Sequence, residues 1–207
     1  MSPLVDVVIP VLNEERALPG CVKSLRQFLK VNLPYNFRIV IADNGSHDLT
    51  PIISSSLSEE YPEVTWIRLE MRGRGRALKK AWEESDADIL CYMDVDLSTD
   101  LTSFPILVKA IWEDKFDLAV GSRLMSQSVV RKRSIKREFT SRSYNLLIKA
   151  MFMTKFSDAQ CGFKAVSKSA AADLLPLVKD QSWFFDSELL ILAEKNGYHI
   201  KDIPVLW

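Results

Sequence analysis

The chain has 207 residues, 47% of them hydrophobic and 26% charged, which excludes a disordered or fibrous chain and suits one globular unit with a sizeable core. Lys and Arg number 27 and so do Asp and Glu, so net charge names no partner. No apolar run approaches the roughly 18 residues that cross a bilayer, and three cysteines without a CxxC pair (Cys21, Cys91, Cys161) exclude a zinc ribbon or disulfide framework and favour a reducing compartment.

Strand and helix signals alternate along the first two thirds. Met1 leads within a few residues into the β-branched run Val5 to Pro10, so a strand and no signal peptide are expected. Leu18, Cys21, Val22, Leu25, Phe28 and Leu29 recur at helical spacing. Phe37 to Ala42 is a second buried strand, closed by the turn residues Asp43-Asn44-Gly45-Ser46. A helix from Pro51 to Glu60, a strand from Val64 to Leu69 and a helix from Arg74 to Ser85 follow. Asp88 to Met93 is a fourth strand and runs straight into Asp94-Val95-Asp96. A helix over Leu101 to Asp114 and a strand over Asp117 to Gly121 complete the series.

The order predicts an α/β fold: a mainly parallel central sheet with helices on both faces. After Arg123 the pattern changes. Leu124 to Lys136 is polar and basic without a period and reads as a mobile loop. Phe139, Ser143, Leu146, Leu147 and Ala150 give a helix, Gly162 to Val166 a strand, Asp186 to Asn196 a helix capped by Gly197, and Tyr198 to Val205 a last strand.

The chemistry-bearing residues fall at one place. Pro10, Asn13 and Glu14 follow the first strand, Asp43 and Asn44 the second, Asp94 and Asp96 the fourth. In a parallel sheet these points share the carboxyl edge, where ligands bind. Three acidic clusters there repel one another unless a cation or a donor-rich ligand joins them. Two carboxylates one residue apart supply hard oxygen ligands for Mg²⁺ or Mn²⁺, completed by diphosphate oxygens and water. Asp-Val-Asp alone also fits a solvated turn, and Asn13 and Asp43 alone fit helix caps; their convergence favours a metal and a nucleotide.

Several segments carry a resemblance. VVIPVLNEE at Val7 to Glu15, IVIADNGSHDLT at Ile39 to Thr50 and MDVDLST at Met93 to Thr99 resemble the motifs of family 2 glycosyltransferases. GSR at Gly121 to Arg123, DAQCGFK at Asp158 to Lys164 and WFFDSELL at Trp183 to Leu190 resemble downstream motifs of their dolichyl- and polyprenyl-phosphate sugar synthases. The resemblance covers nearly the whole chain in order. It implies a single GT-A (Rossmann-like) domain over 1–207, with a nucleotide-sugar half of about 1–123 and an acceptor half of about 124–207. It implies that Pro10, Asn13, Glu14 and Asp43 hold the base and ribose, that Asp94 and Asp96 meet metal and diphosphate, and that Arg123 lies near the phosphates. Ser98 falls where relatives often carry a Gln metal ligand, so its role departs from their pattern. Asp158, Gln160 and the Asp186/Glu188 region are implied around sugar and acceptor.

Arg72-Gly73-Arg74-Gly75-Arg76 is neither a P-loop nor a GxGxxG turn, since Leu78 holds the third glycine's place. It reads either as a surface loop or as a turn into a helix whose N-terminus and arginines, Arg74 among them, face the diphosphate. The run Arg131 to Arg142 fits a solvated charge run, a nucleic-acid patch or a lipid-facing patch. Arg137 and Arg142 are the candidates for an acceptor phosphate. Trp183, Phe184 and Phe185 fit either core packing or a wall for sugar or lipid.

The resulting expectation is inverting, Mg²⁺- or Mn²⁺-dependent transfer of a hexose from a UDP- or GDP-sugar to a polyprenyl phosphate, at the cytoplasmic face of a membrane through peripheral contact. A phosphate acceptor is already anionic and needs little help from a base; Asp186 is the candidate if one acts. The rivals are a family 2 transferase with a soluble or polysaccharide acceptor, a nucleotidyltransferase, and a nucleic-acid-binding module built on residues 131–142. The last leaves the acidic clusters unexplained, and no nucleic-acid partner is expected.

Overall fold

The computed structural model describes residues 2–130 and 135–207, without the side chains of residues 135–137. Seven strands form one sheet: β1 (Leu4–Val11), β2 (Asn36–Asp43), β3 (Val64–Arg68), β4 (Ile89–Met93), β5 (Leu118–Ser122), β6 (Phe163–Ser167) and β7 (Ile200–Pro204). Their order is β3-β2-β1-β4-β6-β5-β7. β1 pairs in parallel with β2 and β4, β2 with β3 and β5 with β7. β6 alone is reversed, pairing antiparallel with both β4 and β5.

Helices cover both faces, as the sequence predicts. On one, the core joins α1 (Leu18–Asn32), α2 (Thr50–Glu60) and α4 (Phe104–Trp112) to the sheet through Leu25, Leu57, Phe104 and Leu107. On the other, α3 (Arg74–Glu83), α6 (Lys168–Leu174) and α7 (Phe185–Lys195) pack through Leu78, Leu174 and Leu189. Each fully buried aliphatic chain contributes about 1.5–3 kcal/mol relative to exposure. β4, buried at all five positions, needs both layers.

Several boundaries differ from the sequence reading. The helix expected at Leu101 begins as a 3₁₀ turn over Leu101–Ser103, because Pro105 belongs in the first turn of α4, where no amide donor is needed. α6 is an unforeseen element; its inner face is Ala170, Ala171 and Leu174, too small to print a periodic apolar signal.

The expected loop over Leu124 to Lys136 is shorter. α5 (Ile135–Phe152) already includes Ile135 and Lys136, and residues 131–134 lie outside the described residues. The stretch before them is tied down. Ser128 Oγ donates to the Ser122 carbonyl at 2.5 Å, Val129 N–H to the Val205 carbonyl at 3.0 Å and Trp207 N–H to the Val129 carbonyl at 2.8 Å.

Candidate active site

The carboxyl edge of β1, β2 and β4 is stitched together by its own polar side chains. Asn13 stands in the left-handed region at φ 57°, which an Asn tolerates better than most residues. Its N–H donates to Ser46 Oγ at 2.9 Å, and its Oδ1 accepts from His47 N–H at 2.9 Å. Glu14 N–H donates to Thr50 Oγ1 at 2.8 Å. Pro10 is half-buried near the end of β1, opposite Ala42. Asp43 is fully buried; its Oδ1 accepts from Ser46 N–H at 2.9 Å. Its Oδ2 has no hydrogen-bond partner among the described residues, with Arg68 Nε 3.7 Å away. Burial, then the charges of Asp96 and Asp48, raise the Glu14 carboxyl above its usual range. Glu14 therefore feels the Asp94–Asp96 turn.

That turn follows β4 at once. Ser98 N–H donates to Asp96 Oδ1 at 3.0 Å, and Leu97 sits at φ 48°, a conformation that costs a bulky L-residue on the order of 1–2 kcal/mol. Asp94, Asp96 and Ser98 line a cavity of about 430 Å³ with Arg74, Arg123 and Gln160. Thr140 and Ser141 of α5 and the indoles of Trp183 and Trp207 also face it. A second cavity of about 350 Å³, reaching Leu12 and Asn44, shares Arg74 and Trp183 with the first. The sequence-expected pair Asp94 and Asp96 thus converges on one space.

The carboxylates are not left to repel one another. Arg74 spans two of them: Nη2 lies 2.8 Å from Asp94 Oδ1 and Nη1 2.7 Å from Asp186 Oδ2. The guanidinium lies 5.1 Å from the Tyr92 ring centre and 5.5 Å from that of Trp183. Asp186, nearly buried, also accepts from Tyr92 OH and lies 3.2 Å from the Nζ of buried Lys164. Burial opposes its charge, but Lys164 and Arg74, with the hydrogen bonds from Tyr92 and Arg74, hold its carboxyl below the usual range. Arg123 grips Asp158 in bidentate fashion, Nε to Oδ2 at 2.8 Å and Nη2 to Oδ1 at 3.0 Å. Burial again opposes the charge of Asp158, and the Arg123 hydrogen bonds and charge lower its pKa nonetheless. The expectation of unbalanced acids at this edge is thereby corrected: protein cations already stand among them.

A second correction concerns α3. Its first-turn amides do not point into open space for a diphosphate: Gly75 N–H donates to the Ser182 carbonyl at 3.2 Å and Arg76 N–H to that of Gln181 at 3.1 Å. Gly75 makes this approach feasible, since a β-carbon there would lie 2.6 Å from Phe185 Cβ. Arg74 alone of the three arginines reaches the carboxylates.

Other candidates divide. Gln160 is at the cavity. Arg142 is not among its lining residues; its Nε pairs with Glu138 at 2.6 Å on an exposed turn of α5. The side chain of Arg137 lies outside the described residues. Glu188 is structural, its Oε2 accepting from the N–H groups of Lys179 and Asp180. Of the aromatic run, Phe185 is core and Trp183, 76% exposed, is cavity wall. Cys161 is buried, and burial above all pushes its thiol up to about 12, which removes it as a nucleophile. Tyr92, Lys164, Thr140, Ser141 and Trp207 escaped the sequence reading. Lys164 alone left a signal, a charged residue inside the apolar run GFKAV.

Asp94, Asp96 and Ser98 form an oxygen-only donor set that fits Mg²⁺ or Mn²⁺ in kind. Among the described residues no cluster of three His, Cys, Asp or Glu side chains supplies more, so ligand oxygens or water would complete the shell.

The chain is similar to several known proteins. Glycosyltransferase AglD of Haloferax volcanii is 37% identical over 205 residues, covering 98% of this chain and 33% of that protein. The dolichyl-phosphate beta-glucosyltransferase of Dictyostelium discoideum is 28% identical over 214 residues, covering 98% and 65%. The chain thus spans a third of the one relative and just under two thirds of the other. Glucosyl-3-phosphoglycerate synthase from Mycobacterium tuberculosis, solved with Mn²⁺, uridine diphosphate and glucosyl-3-phosphoglycerate, has the same fold: TM-score 0.74, 16% identity, 99% of this chain and 70% of that one. The family model "Glycosyl transferase family 2" matches residues 6–175, the span from β1 through β6 that carries the Asp94–Asp96 turn, and this chain belongs to that family.

Proposed function

We propose that this domain moves a hexose, with inversion, from a UDP- or GDP-sugar to a polyprenyl phosphate of the dolichyl type, with Mg²⁺ or Mn²⁺ accompanying the donor. The observation that carries the lipid acceptor is the set of exposed apolar side chains on α5, a helix that also reaches the cavity. Thr140 and Ser141 face the cavity, while Phe139, Leu146, Leu147 and Met151 are exposed at 73, 69, 56 and 64%. A helix that reaches a polar cavity near its N-terminal end and exposes large apolar side chains along its length suits a headgroup drawn from a bilayer. The similarity to the dolichyl-phosphate beta-glucosyltransferase of Dictyostelium discoideum supports the same reading. We place the domain peripherally at the cytoplasmic face; among the described residues no helix is long and apolar enough to cross a membrane.

The roles follow position. Pro10, Asn13, Glu14 and Asp43 take the base and ribose, Asp43 Oδ2 having spare capacity as an acceptor. Asp94, Asp96 and Ser98 hold the metal, which when bound offsets charge developing on the leaving diphosphate. Arg74 and Arg123 face the phosphates. Gln160 serves the acceptor from the cavity and Asp158 fixes Arg123, while Arg142 and Arg137 are acceptor contacts proposed from the sequence alone, Arg142 being paired with Glu138 outside the cavity lining. Residues to about 123 form the donor side and 124–207 the acceptor side. Asp186, nominated as a possible base from sequence, is held as an anion by three donors and is better suited to orient Arg74. The acceptor phosphate attacks the anomeric carbon with its own negative oxygen, so positioning and charge stabilisation supply the rate.

The test is transfer of labelled hexose to a short-chain polyprenyl phosphate, with UDP- and GDP-sugars in parallel, each with Mn²⁺ or EDTA. One donor active only with Mn²⁺, and activity abolished in Asp96→Ala, is the expected result. Transfer to a soluble glycan but not the lipid overturns the acceptor, and undiminished activity in EDTA overturns the metal. Leu146→Glu/Leu147→Glu should weaken sedimentation with anionic vesicles while leaving nucleotide affinity unchanged.

A further inference from the structure

We propose that Arg74 is the resident counter-ion of Asp94, and that it makes metal binding conditional on the diphosphate. This rests on the donor-site reading above. Asp94 already carries a cation on one of its oxygens in this state. Oδ1 takes Arg74 Nη2 at 2.8 Å, and Oδ2 is pressed against Gly162, where a β-carbon would stand 1.9 Å away. Asp96 has one oxygen on Ser98 N–H, and no third Asp, Glu, His or Cys side chain joins the pair in a metal-binding cluster among the described residues. A bare divalent cation therefore meets one open carboxylate and a guanidinium already seated on the other. Repulsion from that unit charge weakens its binding.

A metal arriving with a diphosphate meets a different balance. The diphosphate oxygens complete the metal's shell and give the displaced guanidinium a new anion. Arg74 is built for the exchange, because its two ends are anchored unequally. Nη1 is tied to Asp186, which Tyr92 and Lys164 hold in place, whereas Nη2 rests on the more exposed Asp94, 41% against 6% for Asp186. The side chain lines both cavities and lies near the Trp183 ring, so it need only pivot about its Asp186 end. Metal and nucleotide thus help each other bind because each removes Arg74 from what the other leaves unpaired.

The test is Mn²⁺ titration of the whole chain, read from the electron paramagnetic resonance of free Mn²⁺, alone and with saturating UDP or GDP. In the wild type the fitting nucleoside diphosphate should tighten Mn²⁺ by between about 5- and 150-fold, the usual range of coupling between sites. Arg74→Gln should bind Mn²⁺ alone several-fold more tightly and lose most of that tightening. Arg74→Lys, which keeps the charge, should bind Mn²⁺ alone as weakly as the wild type. Equal Mn²⁺ affinity of the wild type with and without nucleotide overturns the proposal without recourse to a variant. So does Arg74→Gln that melts like the wild type and keeps its coupling. Asp94→Asn separates this from failure of the site itself: if it binds Mn²⁺ and nucleotide as the wild type does, the donor-site reading is wrong, whereas loss in Asp94→Asn with no change in Arg74→Gln removes only the role of Arg74.

Discussion

Gly162 and Asp94 occupy a space that admits no β-carbon: one built on Gly162 would fall 1.9 Å from Asp94 Oδ2 and 2.4 Å from its Cγ. The obstacle is a side chain facing the cavity, so Gly162→Ala relieves the clash by turning Asp94 aside. A displacement near 1 Å in a reacting constellation costs about 100-fold in rate. Gly162→Ala should therefore lower kcat/KM by about that factor while the melting temperature moves far less. A variant that keeps full activity would show that the Asp94 orientation is immaterial.

Arg123 and Asp158 form an enclosed ion pair at the site, with side chains 9% and 0% exposed. Removing one partner strands a buried charge. Arg123→Met should lower unfolding free energy by about 3–5 kcal/mol. Arg123→Met/Asp158→Leu should recover part of that loss, because the apolar pair strands no charge and leaves only the Arg123 and Gln160 N–H groups without their Asp158 acceptor. Urea denaturation of the three chains decides it: a double variant as unstable as the single one would mean that packing, not charge, is at stake.

Acid should loosen the same region. Asp158 and Asp186 are both held below the usual carboxylate range in the folded chain. Folding thus favours their ionised form. That contribution is complete above the unfolded carboxyl pKa of about 4 and is lost as pH falls through the lower folded values. Melting temperature should drop steeply below about pH 4, and less steeply in Asp158→Asn, whose side chain no longer titrates. Identical slopes would assign the acid sensitivity elsewhere.

Much of this was legible in order along the chain. Strand β4 declares itself because a strand buried on both faces is written as an unbroken apolar run, β1 and β2 because their β-branched residues outweigh Asp6 and Arg38, and the turns after them carry the acids. What stayed hidden depends on partners far away in sequence. Nothing near Arg74 announces Asp186, 112 residues on, or that the amides of Gly75 and Arg76 are taken by the Gln181–Ser182 segment. The reversal of β6 is equally silent, since the same apolar residues suit either strand direction. Tyr92 looked like one more strand aromatic because its hydroxyl's partner lies on α7.

The placing of β6 between β4 and β5 also sets the order in which a growing chain can complete itself. On the ribosome, where residues emerge at about 5–20 per second, β1 to β4 can pair as they appear. β5, however, has no neighbouring strand until β6 and β7 follow it. Arg74 and Asp94 leave the tunnel long before Gly162, Lys164 and Asp186. For several seconds the nascent chain holds one half of its charge network without the other, with an open edge on β4 that is exposed to mispairing until β6 closes it.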